Sequence, residues 1–146
     1  MADLDQLTSW HSNWRELRAL VFGLGVSGFS AADTLSELGA KTLVVAEKAE
    51  ADLLDILDVI GVPHITGEAA VGLPSEVVDF APDVVIVSPG IRPENPLLSW
   101  ARANGVAIWV DIDLAWRLRD KTERLAHWFT ITGTNGKTTT VQLVTA

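Results

Sequence analysis

The chain has 146 residues, 48% of them hydrophobic, which suits one ordinary domain with a real core. Eleven Lys and Arg against 19 Asp and Glu leave a formal net charge of −8. An acidic surface argues against nucleic acid or anionic membrane as partners, and the lack of cysteine excludes a disulfide framework and thiolate metal sites.

In chain order, Thr8 to Leu17 holds Trp10 and Trp14 one helical turn apart, and the spacing predicts a short amphipathic lead-in. Ala19 to Phe22 reads as a buried strand closed by Gly23-Leu24-Gly25-Val26-Ser27-Gly28. From Ser27 to Leu38 the positions Phe29, Ala32, Leu35 and Leu38 fall on one helical face, with Gly39 as the stop. Thr42 to Ala46 predicts a second strand. Asp52 to Ile60 predicts a helix with Leu53, Ile56, Leu57 and Ile60 inward and Asp52, Asp55 and Asp58 in solvent. His64 to Thr66 is a short third strand, and Val84 to Val87 is wholly apolar, as a parallel strand buried on both faces must be. A helix over Asn95 to Asn104 and a fifth strand over Val106 to Val110 follow. Asp111 suits a helix cap, with Asp113 in the first turn and Arg117, Arg119 and Lys121 at the far end, each sign where the helix dipole favours it. Strands and helices alternating in this way predict an α/β fold, a Rossmann-like doubly wound parallel sheet of about five strands. Lys121 to Ala126 is the expected boundary. The reading is a first domain over 1–124, folded from about Leu17 to Asp120, and the start of a second over 125–146.

Gly23-x-Gly25-x-x-Gly28 follows a strand and opens a helix, the context in which this pattern binds a nucleotide diphosphate. Gly23 permits the tight turn, Gly25 lets a diphosphate approach the backbone, and Gly28 allows close helix–strand packing. Glu47 ends the next strand, where a carboxylate that reads ribose or base is expected. Taken alone, the motif favours NAD. Ser88-Pro89-Gly90-Ile91 lies at the carboxyl end of a central strand, the edge where open α/β sheets place ligands, and either a strand-ending turn or a ligand loop with Ser88 and Gly90 facing the crevice fits the spacing. Capping explains Asp111 and Asp113 better than a metal or acid–base pair does. His11, His64 and His127 have no mutual spacing of a zinc site.

The run His127 to Thr132 is apolar and β-prone, and breaks into Gly133-Thr134-Asn135-Gly136-Lys137-Thr138-Thr139. Glycines let successive backbone N–H groups point into one concavity, Lys137 adds a mobile positive charge, and Thr138 offers a hydroxyl to a phosphate-bound Mg²⁺. The first glycine of the general Walker pattern would fall on Ile131, and Gly133 stands two places later. An ATP site also needs a neighbouring strand with a carboxylate for the metal, and another crossover takes at least about 10–12 residues, more than follow Thr139. The expectation is the front part of a larger enzyme, inactive alone, whose apolar 127–132 strand lacks sheet neighbours and is disordered, docked elsewhere, or paired with another copy.

Thr132 to Thr139 resembles the shortened phosphate loop of the Mur ligases and the related folylpolyglutamate synthases. Val21 to Ser30, then Ser88 to Ile91, then Asp111-Ile112-Asp113-Leu114 resemble, in order and spacing, the amino-terminal domain of the D-glutamate-adding Mur ligases. Asn135 stands where the L-alanine-adding relatives typically carry His. Where the family often ends its second strand on Asp, this chain has Ala46-Glu47. The resemblance implies an ATP-dependent, Mg²⁺-requiring amide-forming ligase of cytoplasmic peptidoglycan synthesis, with UDP-N-acetylmuramoyl-L-alanine and D-glutamate as substrates. It implies further that Gly133, Thr134, Asn135, Gly136, Lys137, Thr138 and Thr139 hold ATP, with Lys137 catalytic and Thr138 on the metal. The UDP portion would meet Gly23, Gly25, Val26, Ser27 and Gly28 at the diphosphate, Glu47 and Lys48 at uracil and ribose, and Ser88 and Gly90 along the sugar. Competing readings are an NAD-binding oxidoreductase domain, which leaves Gly133 to Thr139 unexplained, a nucleotide-sensing module, and another ligase of the Mur or folylpolyglutamate type.

Overall fold

In the computed structural model, which describes residues 2–120 and 127–145, five parallel strands form one sheet in the order β3-β2-β1-β4-β5. The strands are β1 (Arg18–Phe22), β2 (Lys41–Ala46), β3 (His64–Thr66), β4 (Val84–Val87) and β5 (Ala107–Val110). The helices are α1 (Val26–Glu37), α2 (Ala51–Val59), α3 (Ser75–Phe80), α4 (Pro96–Ala103), α5 (Asp111–Leu118) and α6 (Lys137–Thr145), with 3-10 turns at Leu4–Gln6 and Gly67–Ala70. Central β1 pairs with β2 on one side and β4 on the other, Leu20 standing opposite Leu43 and Val85. Because each crossover returns over a face, both faces are covered. Val21, Val44, Val84 and Ile86 pack under Ala32, Leu35, Leu57 and Leu114, while Leu20, Val45 and Val85 pack with Val77, Leu97 and Leu98 on the other side. That double burial is why β1 and β4 read as unbroken apolar runs.

The amino-terminal lead-in is not helical. Ser12 Oγ accepts the backbone N–H groups of Thr8 and Ser9, and Asn13 Oδ1 accepts that of Arg15, which a helix over this span would direct to the carbonyl of His11. Trp14 is nonetheless fully buried, its Nε1 donating to Ser9 O at 3.0 Å, whereas Trp10 stays half in solvent. On α2, Leu54 turns toward the core and Ile56 is exposed, the reverse of what the spacing predicts for Ile56. On α5 the N-terminal closure comes from Asp113, whose Oδ2 accepts the N–H of Val110 at 2.9 Å, while Asp111 sits inside the first turn. Arg117, in the last turn of α5, donates to Leu4 O and Leu7 O and lies over the Trp109 ring, tying the lead-in to the sheet edge. Lys121 and the expected boundary at 121–126 lie outside the described residues.

Residues 127–136 carry no helix or strand, so the strand predicted over 127–132 does not form. A strand exists through its ladder, and this segment has no partner strand among the described residues. Instead the Trp128 ring meets Trp116 of α5 edge-on, centroids 5.3 Å apart. Among the described residues no helix is long and apolar enough to cross a membrane.

Asp83, just before β4, is buried and accepts the N–H groups of Arg18 at 2.9 Å and Ala2 at 3.2 Å, with Arg18 Nε at 3.8 Å. One carboxylate therefore joins the start of β1, the start of β4 and the amino-terminal segment. Removing it leaves inward-facing donors without an acceptor, so Asp83→Ala is expected to cost about 1–3 kcal/mol. The measurement is urea unfolding, read as a lower midpoint at unchanged slope.

Candidate functional site

The strand order reverses between β1 and β4, since β1 continues to β2 on one side while β4 leads to β5 on the other. Above their carboxyl ends a crevice must open, because successive connections leave in opposite directions. A cleft of about 550 Å³ lies there, lined by Phe22, Gly23, Ala46, Glu47, Lys48, Gly90, Ile91, Arg92, Glu94 and Asn95. Its volume suits a small organic ligand.

The turn after β1 is held by three glycines for three different reasons. Gly23 has φ +97°, and a Cβ there would stand 2.8 Å from Ser88 Cβ. Gly28 is buried, and a Cβ on it would reach 2.0 Å from the Gly23 carbonyl oxygen, closer than any real contact. Gly25 faces open space, and a Cβ on it would meet nothing within 4 Å. The first helical bond runs from Phe29 N–H to Gly25 O, so the N–H groups of Val26, Ser27 and Gly28 have no acceptor within α1. The first turn of α1 carries no acidic residue, and no side chain caps it at Gly25. A 12-residue helix with an uncovered N-terminus favours a bound anion through its free N–H groups and its dipole.

Four of the residues singled out from sequence, Gly23, Glu47, Lys48 and Gly90, line one cleft. Val26 and Ser27 line a neighbouring groove of about 330 Å³ between α1 and α5, together with Ser30, Asp111 and Ile112. Ser88 departs from its expected orientation toward the crevice: its hydroxyl donates to the Gly23 carbonyl at 3.0 Å and braces the glycine turn from behind. A carbonyl at a strand end needs a donor, and satisfying it becomes the stronger claim on the side chain. Sequence reasoning missed Arg92, Glu94 and Asn95. Their signal was the proline-punctuated stretch Pro89 to Pro96 between a central strand and a helix, where a rigid loop over the crevice is what such spacing produces.

The predicted phosphate loop stands apart from both clefts, since no residue of 133–139 lines either of them. Gly136 has φ +78° and precedes α6, while Lys137 Nζ donates back to Gly133 O across the loop. Thr134, Asn135, Thr138 and Thr139 are exposed. Lys137 and Thr138 stand in the first turn of α6, directly after the glycine turn. Among the described residues no group of three His, Cys, Asp or Glu is placed to hold a metal ion.

Residues 17–110 match the family described as Mur ligase MurD-like, N-terminal domain. The chain belongs to this family. The UDP-N-acetylmuramoylalanine--D-glutamate ligase of Leifsonia xyli subsp. xyli is 51% identical over 146 aligned residues, 96% of this chain and 28% of the relative. The enzyme of the same description from Tropheryma whipplei strain Twist is 42% identical over 98% of the chain and 28% of its own length. The chain thus spans a little over a quarter of these relatives. Among solved structures, UDP-N-acetylmuramate-alanine ligase MurC from Thermotoga maritima superposes with a TM-score of 0.54 at 21% identity, covering 67% of this chain and 21% of that one, a likeness of fold.

The two crowded glycines and the open one make different predictions for the same substitution. Gly28→Ala forces a methyl into the Gly23 carbonyl and is expected to destabilise by about 1–3 kcal/mol. Gly25→Ala, at φ −95°, is expected to change stability by less than about 0.5 kcal/mol, as an unstrained exposed substitution does. Thermal unfolding of the two variants beside the parent checks the contrast.

Proposed function

We propose that this chain is the sugar-nucleotide-binding front of an ATP-dependent ligase that joins D-glutamate to UDP-N-acetylmuramoyl-L-alanine in the cytoplasm. The observation that carries the reading is the glycine turn at the switch point, whose crowded Gly23 and Gly28 set an open Gly25 at the uncapped start of α1, beside the cleft that Glu47 and Lys48 line. In this reading residues 1–124 form the UDP-substrate domain and 125–146 begin the ATP-binding one. The diphosphate takes the N–H groups of Val26, Ser27 and Gly28. Glu47 and Lys48 face uracil and ribose, and Gly90 faces the sugar. Ser88 serves by fixing the turn. The family match and the curated relatives of that activity support the assignment.

The chemistry follows from the substrate. A carboxylate is a poor electrophile, so the γ-phosphoryl group of ATP passes to an oxygen of the alanine carboxylate, giving an acyl phosphate and ADP. The amine of D-glutamate then attacks the acyl carbon. The tetrahedral adduct collapses with loss of a proton from nitrogen and departure of phosphate, and an amide remains. Lys137 and the backbone N–H groups of Gly133 to Thr139 hold the β- and γ-phosphates and stabilise the charge that builds between them. Mg²⁺, held in part by the Thr138 hydroxyl, would supply further neutralisation of those oxygens. The Lys137 ammonium, now on the Gly133 carbonyl, exchanges that neutral acceptor for an anionic one when a phosphate enters.

Calorimetric titration with UDP-N-acetylmuramoyl-L-alanine, UDP and NADH tests the front-domain assignment on this chain. Binding of both UDP compounds and no heat with NADH is expected, and Ser27→Trp, which puts an indole at the diphosphate, is expected to weaken UDP by more than about tenfold. Heat with NADH alone would assign the cleft to a dinucleotide. In a full-length ligase carrying these residues, Lys137→Ala is expected to lower kcat by about 10²–10³-fold with stability unchanged, since it removes a charge used mainly in the transition state.

A further inference from the structure

Helix α5 carries two large apolar side chains on its outer side that the first domain does not cover. Ile112 and Trp116 stand one turn apart on the same face, 59% and 45% exposed. Ile112 borders the groove beside Val26 and Ser27, while Trp116 already has a partner from beyond the domain boundary. The Trp128 ring stands at 90° to the Trp116 ring with centroids 5.3 Å apart, the edge-to-face arrangement that aromatic quadrupoles favour. The Arg119 guanidinium lies 3.6 Å from the centre of the same Trp116 ring. Its Nε is buried and bonds to no acceptor among the described residues. Taking a guanidinium edge out of water without an acceptor costs free energy, and the negative face of an indole is what offsets it. Trp116 is thus held by a cation on its ring and presents a fixed surface to Trp128.

Chain length gives this contact its weight. The segment 127–136 has no strand ladder to hold it, and His127, Phe129, Thr130 and the run Thr132 to Gly136 are exposed. α5 ends at Leu118, and Gly133 comes fifteen positions later, a distance the chain spans up to about 50 Å when extended. From Trp128 to Gly133 there are five positions, which span at most about 18 Å. A pin at residue 128 therefore shortens the range open to the second glycine turn about threefold, which raises its effective concentration near the first domain without any further contact.

We propose that Trp116 is a positioning residue: with Arg119 on its ring it docks Trp128, and so holds the segment that enters the Gly133 to Thr139 loop against α5, the helix whose first turn borders Val26 and Ser27. The assignment rests on the two-part reading above, a sugar-nucleotide domain followed by the start of an ATP-binding one, and adds the joint between them. Two glycine turns that serve one reaction need a bounded separation, and an aromatic pair supplies it here where no sheet connects them.

The test is a distance measurement on the chain. It has no cysteine, so nitroxide labels go only where cysteines are introduced, at the exposed positions Asp33→Cys on α1 and Thr130→Cys beside Trp128, and pulsed electron paramagnetic resonance reads their separation. The doubly labelled chain is expected to give one narrow distribution. Adding Trp116→Ala is expected to broaden it, with the docked population falling about three- to tenfold relative to the undocked one. Trp116→Phe keeps a ring for both Trp128 and Arg119 and is expected to retain most of the narrow peak. Trp128→Ala leaves α5 untouched and is expected to broaden the distribution as Trp116→Ala does, so it decides the matter if circular dichroism shows that Trp116→Ala disturbs the fold. A broad distribution in the labelled parent, or a width unchanged by Trp128→Ala, would overturn the proposal. The labels are read without nucleotide, so failure of the UDP titration described above would remove the functional reading and leave the docking result standing.

Discussion

Where residue 28 lacks a side chain, the first turn of α1 comes within a methyl's width of the Gly23 carbonyl, and the shape of the cleft at the switch point depends on that approach. A Cβ at position 28 would lie 2.0 Å from the oxygen, so any other residue pushes α1 away from the end of β1. With α1 seated, its uncapped first turn lies at the carboxyl end of β1. The Ser88 hydroxyl completes the arrangement from the β4 side by donating to the same carbonyl. One oxygen is thereby pressed by a helix and bonded by a neighbouring strand, so β1, β4 and α1 have one relative placement. An anion bound in the diphosphate reading proposed above would meet rigid backbone, whose alignment costs nothing at the moment of binding.

The parts legible in the amino-acid order are those with a strong local cause. The parallel sheet follows from apolar runs such as Val84 to Val87 alternating with helical periods, and the three glycines are placed by a pattern that has one economical geometry. Glu47 is legible as the residue that closes a strand on the ligand edge of the sheet, whereas Lys48 is singled out by the family resemblance alone. The misses have a common origin in competition between short- and long-range partners. Trp10 and Trp14 have helical spacing, yet Ser12 and Asn13 take the backbone donors and the segment becomes a strap with Trp14 buried beneath it. Ile56 and Leu54 share a helix whose apolar band is broad, and only the packing partners decide which of the two turns inward. Arg92 carried no motif. It lines one cavity with Lys48 and Glu47, residues far away in the chain that share that cavity only after the sheet forms.

The carboxyl-terminal segment shows the same rule from the other side. Trp128 to Ile131 is β-prone by composition, but strand propensity is a statement about packing against neighbours, and no described strand lies alongside. What the segment keeps is one aromatic contact, Trp128 edge-on to Trp116, with the Arg119 guanidinium 3.6 Å from the centre of the Trp116 ring. The glycine loop and α6 need only local hydrogen bonds, such as Thr140 N–H to Gly136 O at 2.9 Å, and they form without the sheet.

The strand order carries a consequence for synthesis. β1 emerges first and becomes the middle of the sheet, yet its side-chain ties to the β4 side, from the Arg18 N–H to Asp83 and from the Ser88 hydroxyl to Gly23, each span 65 residues. A nascent chain on the ribosome therefore displays an apolar central strand with one flank open until β4 has left the exit tunnel. During that interval Leu20 and Val21 are available to any unpaired strand nearby, and a pause in translation between β2 and β4 prolongs the hazard.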